Sequence, residues 1–330
     1  MKIEFLKLLS NNFKIYKEYY NTFCVFNSIN DILYLIYVNN NNSIIAYDLI
    51  DNKVKIEIKK AHEEKITNFR NFLDNKNERD LVISLSPEDN NIKIWNINNF
   101  ECILNLKNTY SVITLTACFL NHNENIYIIT INSFDYHLDE RIGMNPIIKV
   151  YDLNGKIINA FSGTNKATYF IDIFYDNLNF KKYILCGNED NIVSYDYEKK
   201  KLYHKYKDYQ YKSNMPHYCF FIDNKDKEIV KLIESNQRCM IGIWNFHSGK
   251  KIDNILFGDF SGIFLLNNNH VFLGYEDGFI KIKKIKNGIN IQSKKAHKDK
   301  VLTIKYIYHP KYGECIISQS LSEIKLWIIK

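Results

Sequence analysis

Seven times along the 330 residues, a short strand-like run closes on an aromatic residue or a stand-in for one: IIAYD, IKIWN, IKVYD, IVSYD, IGIWN, IKIKK and IKLWI. The closing positions are Tyr47, Trp95, Tyr151, Tyr195, Trp244, Lys283 and Trp327, so successive anchors lie 48, 56, 44, 49, 39 and 44 residues apart. Self-similarity at such a period marks one supersecondary unit repeated along the chain, each unit too small to bury its apolar face alone. Within every period the order is the same: an apolar strand, a polar turn, a second apolar strand, a second turn, the anchor strand, and a weaker amphipathic strand. Turns between the first two strands read at NSIND (27–31), LDNKNERD (73–80), NHNEN (121–125), YDNLNF (175–180), DNKDKE (223–228), NNNH (267–270) and HPKYGE (309–314). Short strands at even spacing with turn signals between them predict an all-β fold of four-stranded antiparallel units. The 24 Tyr and 21 Phe suit pleated surfaces, and with only 12 Gly and four Pro the turns fall largely to Asn.

The period and strand order resemble the WD40-repeat family over nearly the whole chain. The motif residues are worn. Ala61-His62 pairs with Asp89 and Trp95, and Ala296-His297 pairs with Trp327, where the family carries Gly-His, a turn Asp and Trp-Asp. Glu189 and Asp277 take the turn position in two further repeats, and Tyr47-Asp48, Tyr151-Asp152 and Tyr195-Asp196 stand where Trp-Asp would. No repeat is complete, and Lys283-Lys284 replaces the closing pair in the sixth. The resemblance implies a single seven-bladed β-propeller over 1–330, with blades at roughly 21–60, 61–108, 109–163, 164–208, 209–256, 257–294 and 295–330. The seventh anchor strand ends the sequence, so the last blade needs an outer strand from the N-terminus. Residues 12–20 (NFKIYKEYY) are the expected donor, pairing beside Ile324 to Ile329.

The resemblance assigns His62, Asp89, Trp95, His297 and Trp327 to buried hydrogen-bond networks tying entry loops to strands. His62, Asp89 and a nearby Ser84 or Ser86 have the composition of a nucleophile, base and orienter, but the network reading is preferred. Phosphate-binding glycine loops and zinc-ligand histidine spacings are absent from the sequence. No enzyme activity, cofactor or metal is therefore expected. Seven Cys without C-x-x-C spacing suggest reduced thiols in the cytosol or nucleus, and no apolar run is long enough to span a membrane.

WD40 propellers mostly serve as scaffolds, so the resemblance implies a monomeric propeller that binds other proteins within a larger complex. The longest irregular stretch before an anchor, SFDYHLDERIGMNP (133–146), and the loop entering the fifth repeat, KDYQYKSNMP (207–216), are expected on one face. They offer Phe134, Tyr136, Arg141, Met144, Tyr209, Tyr211 and Met215, the aromatic, Arg and Met mixture of interface hot spots. The alternative is an RNA- or anionic-membrane-binding module. The net charge of +7 and the runs KKIKNG (283–288), KKAHKDK (294–300) and EKKKLYHKYK (198–207) motivate it, although lysines on outer strands also block edge pairing.

Overall fold

A computed structural model describes residues 1–11, 22–107, 112–134, 147–163, 168–177, 179–188, 191–206, 218–223, 230–236, 240–258, 260–267 and 269–330. Among these residues the architecture is all-β, with 28 strands in seven four-stranded antiparallel sheets. The chain starts with β1 (Ile3–Ser10). The first sheet follows as β2 (Phe23–Asn27), β3 (Leu33–Val38), β4 (Ile44–Asp48) and β5 (Lys53–Ile58), and the second as β6 (Asn68–Asp74), β7 (Arg79–Ser86), β8 (Asn91–Asn96) and β9 (Glu101–Lys107). The third comprises β10 (Val112–His122), β11 (Asn125–Phe134), β12 (Ile147–Tyr151) and β13 (Ile157–Ser162); the fourth, β14 (Thr168–Asp176), β15 (Lys181–Asn188), β16 (Ile192–Asp196) and β17 (Lys201–Tyr206). The fifth comprises β18 (Tyr218–Asp223), β19 (Val230–Asn236), β20 (Met240–Asn245) and β21 (Lys251–Leu256); the sixth, β22 (Gly262–Asn267), β23 (His270–Gly274), β24 (Phe279–Lys284) and β25 (Asn290–Lys295). The seventh takes β26 (Val301–His309), β27 (Gly313–Ser320) and β28 (Ile324–Ile329) from the end of the chain and β1 from its start, in the order β1-β28-β27-β26.

All seven sequence anchors fall on the third strand of their sheets, and in six sheets the pairing with the outer strand slips beside the anchor. Between third and fourth strands the register slips at Ala46/Tyr47, Ile94/Trp95, Val150/Tyr151, Ser194/Tyr195 and Ile282/Lys283. In the seventh sheet the slip lies between Phe5 and Lys7, opposite Trp327 and Leu326. Such a bulge re-aims a side chain and increases the local twist. The residue facing the anchor from the outer strand is exposed and mostly apolar: Val54, Cys102, Ile157, Leu202 and Phe5 in five sheets. The turn from third to fourth strand also repeats, with one residue in the left-handed region: Asn52, Phe100, Gly155, Lys200, Gly249 and Gly288 in the first six sheets.

The outer strand of the last sheet is Ile3–Ser10 and not 12–20, which lie outside the described residues. Ile3 pairs with Ile329 and is buried, and the backbones of Lys2 and Lys330 exchange hydrogen bonds. Two bulges in β1, between Phe5 and Lys7 and between Leu8 and Ser10, break the period-two alternation that would have exposed this strand to sequence inspection.

The chain divides into two compact units. One holds residues 1–82, 97–100 and 255–330. In it the seventh sheet packs on the first, Leu33, Leu35 and Tyr37 against Ile317, Ile324 and Leu326, and on the sixth, Ile316 and Trp327 against Phe272 and Ile282. The other holds residues 83–96 and 101–254. Here the third and fourth sheets share a core of Ile129, Ile148, Ile171 and Ile184, and the fourth meets the fifth through Tyr183, Tyr206, Trp244 and Phe246.

Candidate functional site

The polar groups with the most developed geometry lie at the loop end of the seventh sheet. Ser318 on β27 is fully buried, and its Oγ accepts the Trp327 indole N–H at 2.7 Å. His297, also buried, places Nε2 2.7 Å from the same Oγ, while its Nδ1 lies 3.4 Å from Glu323 Oε2. The indole can only donate, and the serine has one proton. Ser318 Oγ thus joins the two side chains, accepting from Trp327 and sharing with His297 Nε2 a hydrogen bond whose direction follows the imidazole tautomer. Burial, reinforced by Lys325, pushes the imidazole pKa down to about 4. Glu323 is held below its ordinary value by Lys325, whose Nζ is 2.6 Å away. Trp327, Ser318 and His297 are thereby tied together in the core, while His297 Nδ1 and Glu323 Oε2 meet without a hydrogen bond.

In the second sheet Trp95 Nε1 donates to Ser84 Oγ at 2.8 Å, and Ser84 is fully buried. Asp89, half-buried in the turn before β8, accepts the Asn91 amide at 3.0 Å. His62 is buried, and its backbone carbonyl, with that of Glu64, accepts the Asn42 side-chain amide. The structure thus places Ser84 as the indole acceptor, a position that uses the hydroxyl as structural polarity. Ser318 and Glu323 were not singled out in the sequence, because a serine within IISQS and a Glu where the family has Asp carry no motif.

The acidic half of the worn closing pair has its own task. Asp48, Asp152 and Asp196 accept amides of the following turn, Ile50 and Asp51, Asn154 and Lys156, and Lys199 respectively; Asn245 accepts Ser248. Short carboxylates and amides bond their own backbone this way. Lys283, which replaces the aromatic anchor, donates to the Phe257 carbonyl at 3.0 Å and lies 5.4 Å from the Phe257 ring centroid. Burial lowers its pKa.

Other lysines in the basic runs are similarly committed. Lys295 donates to the Asp277 carbonyl and Lys300 pairs with Glu276 at 2.8 Å; outside those runs, Lys325 donates to the Ala296 carbonyl at 3.0 Å. Lys284, Lys286, Lys294 and Lys298 are exposed. Cys24, Cys118, Cys186 and Cys315 are buried free thiols, whereas Cys102 is exposed on β9. Burial raises the thiol pKa of Cys24 to about 12 and that of Cys315 to about 11, which removes thiolate reactivity.

Of the expected partner-binding residues, Tyr136, Arg141, Met144, Tyr209, Tyr211 and Met215 lie outside the described residues; Phe134 ends β11, and nothing is described of its side chain. A cleft that the sequence did not suggest lies where the loop before β4 meets the loop entering the second sheet. Its volume is about 260 Å³, and it is lined chiefly by Asn39, Asn40, Asn42, Glu63, Glu64 and Lys65. The same two kinds of loop meet in the seventh sheet, where Ser322 donates to Asp299 at 2.7 Å. Among the described residues no group of three His, Cys, Asp or Glu side chains converges as a metal site, and no helix is long and apolar enough to cross a membrane. No protein-family model matches the sequence, and comparison with curated proteins finds no match.

Proposed function

We propose that the seven sheets are the blades of one seven-bladed propeller of WD40 type, closed through the last sheet by β1, and that the protein is a non-catalytic scaffold for protein–protein interaction in the cytosol or nucleus. Packing of the seventh sheet on the first supports the ring, since the ends of the repeat share one core. The observation that carries the functional reading is the direction in which polar groups are spent. Ser84, Ser318 and His297 are turned inward onto Trp95 and Trp327, which holds the loops at their places and leaves those loops for recognition.

Affinity purification from the native cell, with mass spectrometry of what survives high-salt washing, tests this. A stable set of polypeptides is expected, and the combined Tyr136→Ala, Arg141→Ala and Tyr211→Ala variant is expected to lose them while folding normally. The second reading, RNA or anionic-membrane binding, rests on exposed Lys284, Lys286, Lys294 and Lys298. Salt-sensitive retention on RNA or heparin beads, with no polypeptide surviving high salt, would replace the scaffold reading with that one.

A further inference from the structure

Outer strands β5, β9, β17, β21, β25 and β1 each carry charged side chains, the usual protection of an exposed sheet edge. The outer strand β13, with the sequence IINAFS, carries none. Its first two side chains, Ile157 and Ile158, are 48% and 47% exposed. Ile157 faces the anchor Tyr151 across the bulge and so covers that ring's strand, but Ile158 has no comparable partner in the register. Phe161, on the opposite side of the strand, is buried in the core shared by the third and fourth sheets, which fixes β13 in place. The result is an uncharged edge that opens on two exposed isoleucines and that no strand pairs on its outer side among the described residues.

We propose that β13 is a strand-addition site, which takes an extended segment of a partner protein, apolar at alternate positions and flanked by acidic residues. Main-chain bonds to an open edge supply affinity in this mode, and alternate side chains supply specificity. The acidic flank follows from charge. Exposed Lys156 precedes the strand, and Lys149 on β12 sits in register with Ala160. Neither β12 nor β13 contains an acid. Asp152, the nearest carboxylate in the connecting turn, is occupied in accepting the Asn154 and Lys156 amides. A second copy is disfavoured as occupant, since each copy carries a net charge of +7.

The inference extends the scaffold reading to one particular edge, and its test is independent of any native partner. The probe is a synthetic peptide of alternating valine and threonine with glutamates at both ends, titrated onto the purified full chain by fluorescence anisotropy, with hydrogen exchange read over 157–162. Saturable binding with slowed exchange in β13 is expected. Ile158→Lys should weaken it by about tenfold or more at unchanged Tm, and exchanging the peptide's glutamates for lysines should do the same. Equal affinity for the wild type and Ile158→Lys, protection of another outer strand, or absence of binding overturns the proposal. So does a doubled mass with β13 protected when no peptide is added, because the edge would then belong to a second copy. Partners recovered from cells in the face of a negative peptide result would sink this inference and leave the scaffold reading standing.

Discussion

Phe5 stands edge-on to Trp327, with ring centroids 5.4 Å apart and an interplanar angle of 68°. The first strand of the chain thus covers the last anchor of the repeat, on a strand whose Ile3 reaches into the core shared by the sixth and seventh sheets.

Removal of that strand should therefore cost far more than loss of a terminal tail. Truncation of residues 1–10 is expected to give insoluble or grossly destabilised protein. Ile3→Ala should lower stability by about 2 to 4 kcal/mol and Phe5→Ala, on the exposed side, by less. Urea midpoints of the three proteins check this; an unchanged midpoint for Ile3→Ala would place the closing strand elsewhere.

Ser318→Ala leaves the Trp327 indole N–H and one nitrogen of His297 without their bonds in a buried setting. The expected loss is about 1 to 3 kcal/mol, the cost of stranding buried polar groups. Ser318→Thr, which retains the hydroxyl, should recover part of it. Thermal melts of the pair distinguish lost hydrogen bonds from lost volume.

Acid should loosen the same corner. The folded pKa of His297 is about 4 against an ordinary value of 6.5, so the unfolded chain takes up the proton first. The contribution is intact above pH 6.5, declines as pH falls, and is fully lost near pH 4. Between pH 7 and pH 5 this amounts to about 2 kcal/mol. His309 and His122, also pushed down by burial, act in the same sense, while Glu323, lowered by Lys325, adds its loss only below its ordinary 4.5. Denaturation at pH 7 and pH 5 should show the decline, and a smaller one in His297→Gln; an equal decline would assign the effect to other groups.

The turn conformations predict gains as well. Phe100 and Lys200 hold left-handed backbone, with φ of 63° and 56°, at positions where Gly155 and Gly249 stand in neighbouring sheets. Phe100→Gly and Lys200→Gly should each stabilise by roughly 0.5 to 1 kcal/mol. Gly155→Ala should destabilise, because φ is +80° and a Cβ would come within 3.2 Å of Leu104. Calorimetry on the three variants tests whether the repeated turn is strained where glycine is missing.

What the sequence revealed and what it hid divide along physical lines. The anchor strands were legible because Trp95, Tyr151, Tyr195, Trp244 and Trp327 are all buried at the same place in their sheets, and burial imposes an apolar pattern. Turns such as 27–31 were legible through Asn and Asp. The closing strand was not, since its alternation is broken twice by bulges and Lys2, Glu4 and Lys7 give it a tail's composition. Ser318 and Glu323 were hidden for a different reason: their place beside His297 and Trp327 is set by the packing of strands and loops, which no spacing encodes. The candidate recognition loops at 133–146 and 207–216 remain defined by length and composition.

The left-handed turn between third and fourth strands is occupied by Asn, Phe, Gly, Lys, Gly and Gly in succession. One backbone shape has thus been kept while the letter that writes it has changed four ways within a single chain. The turn specifies a torsion angle more tightly than a residue, and it is strained wherever a Cβ is present. The likeness of these six units therefore lies in torsion angle and strand register more than in their letters.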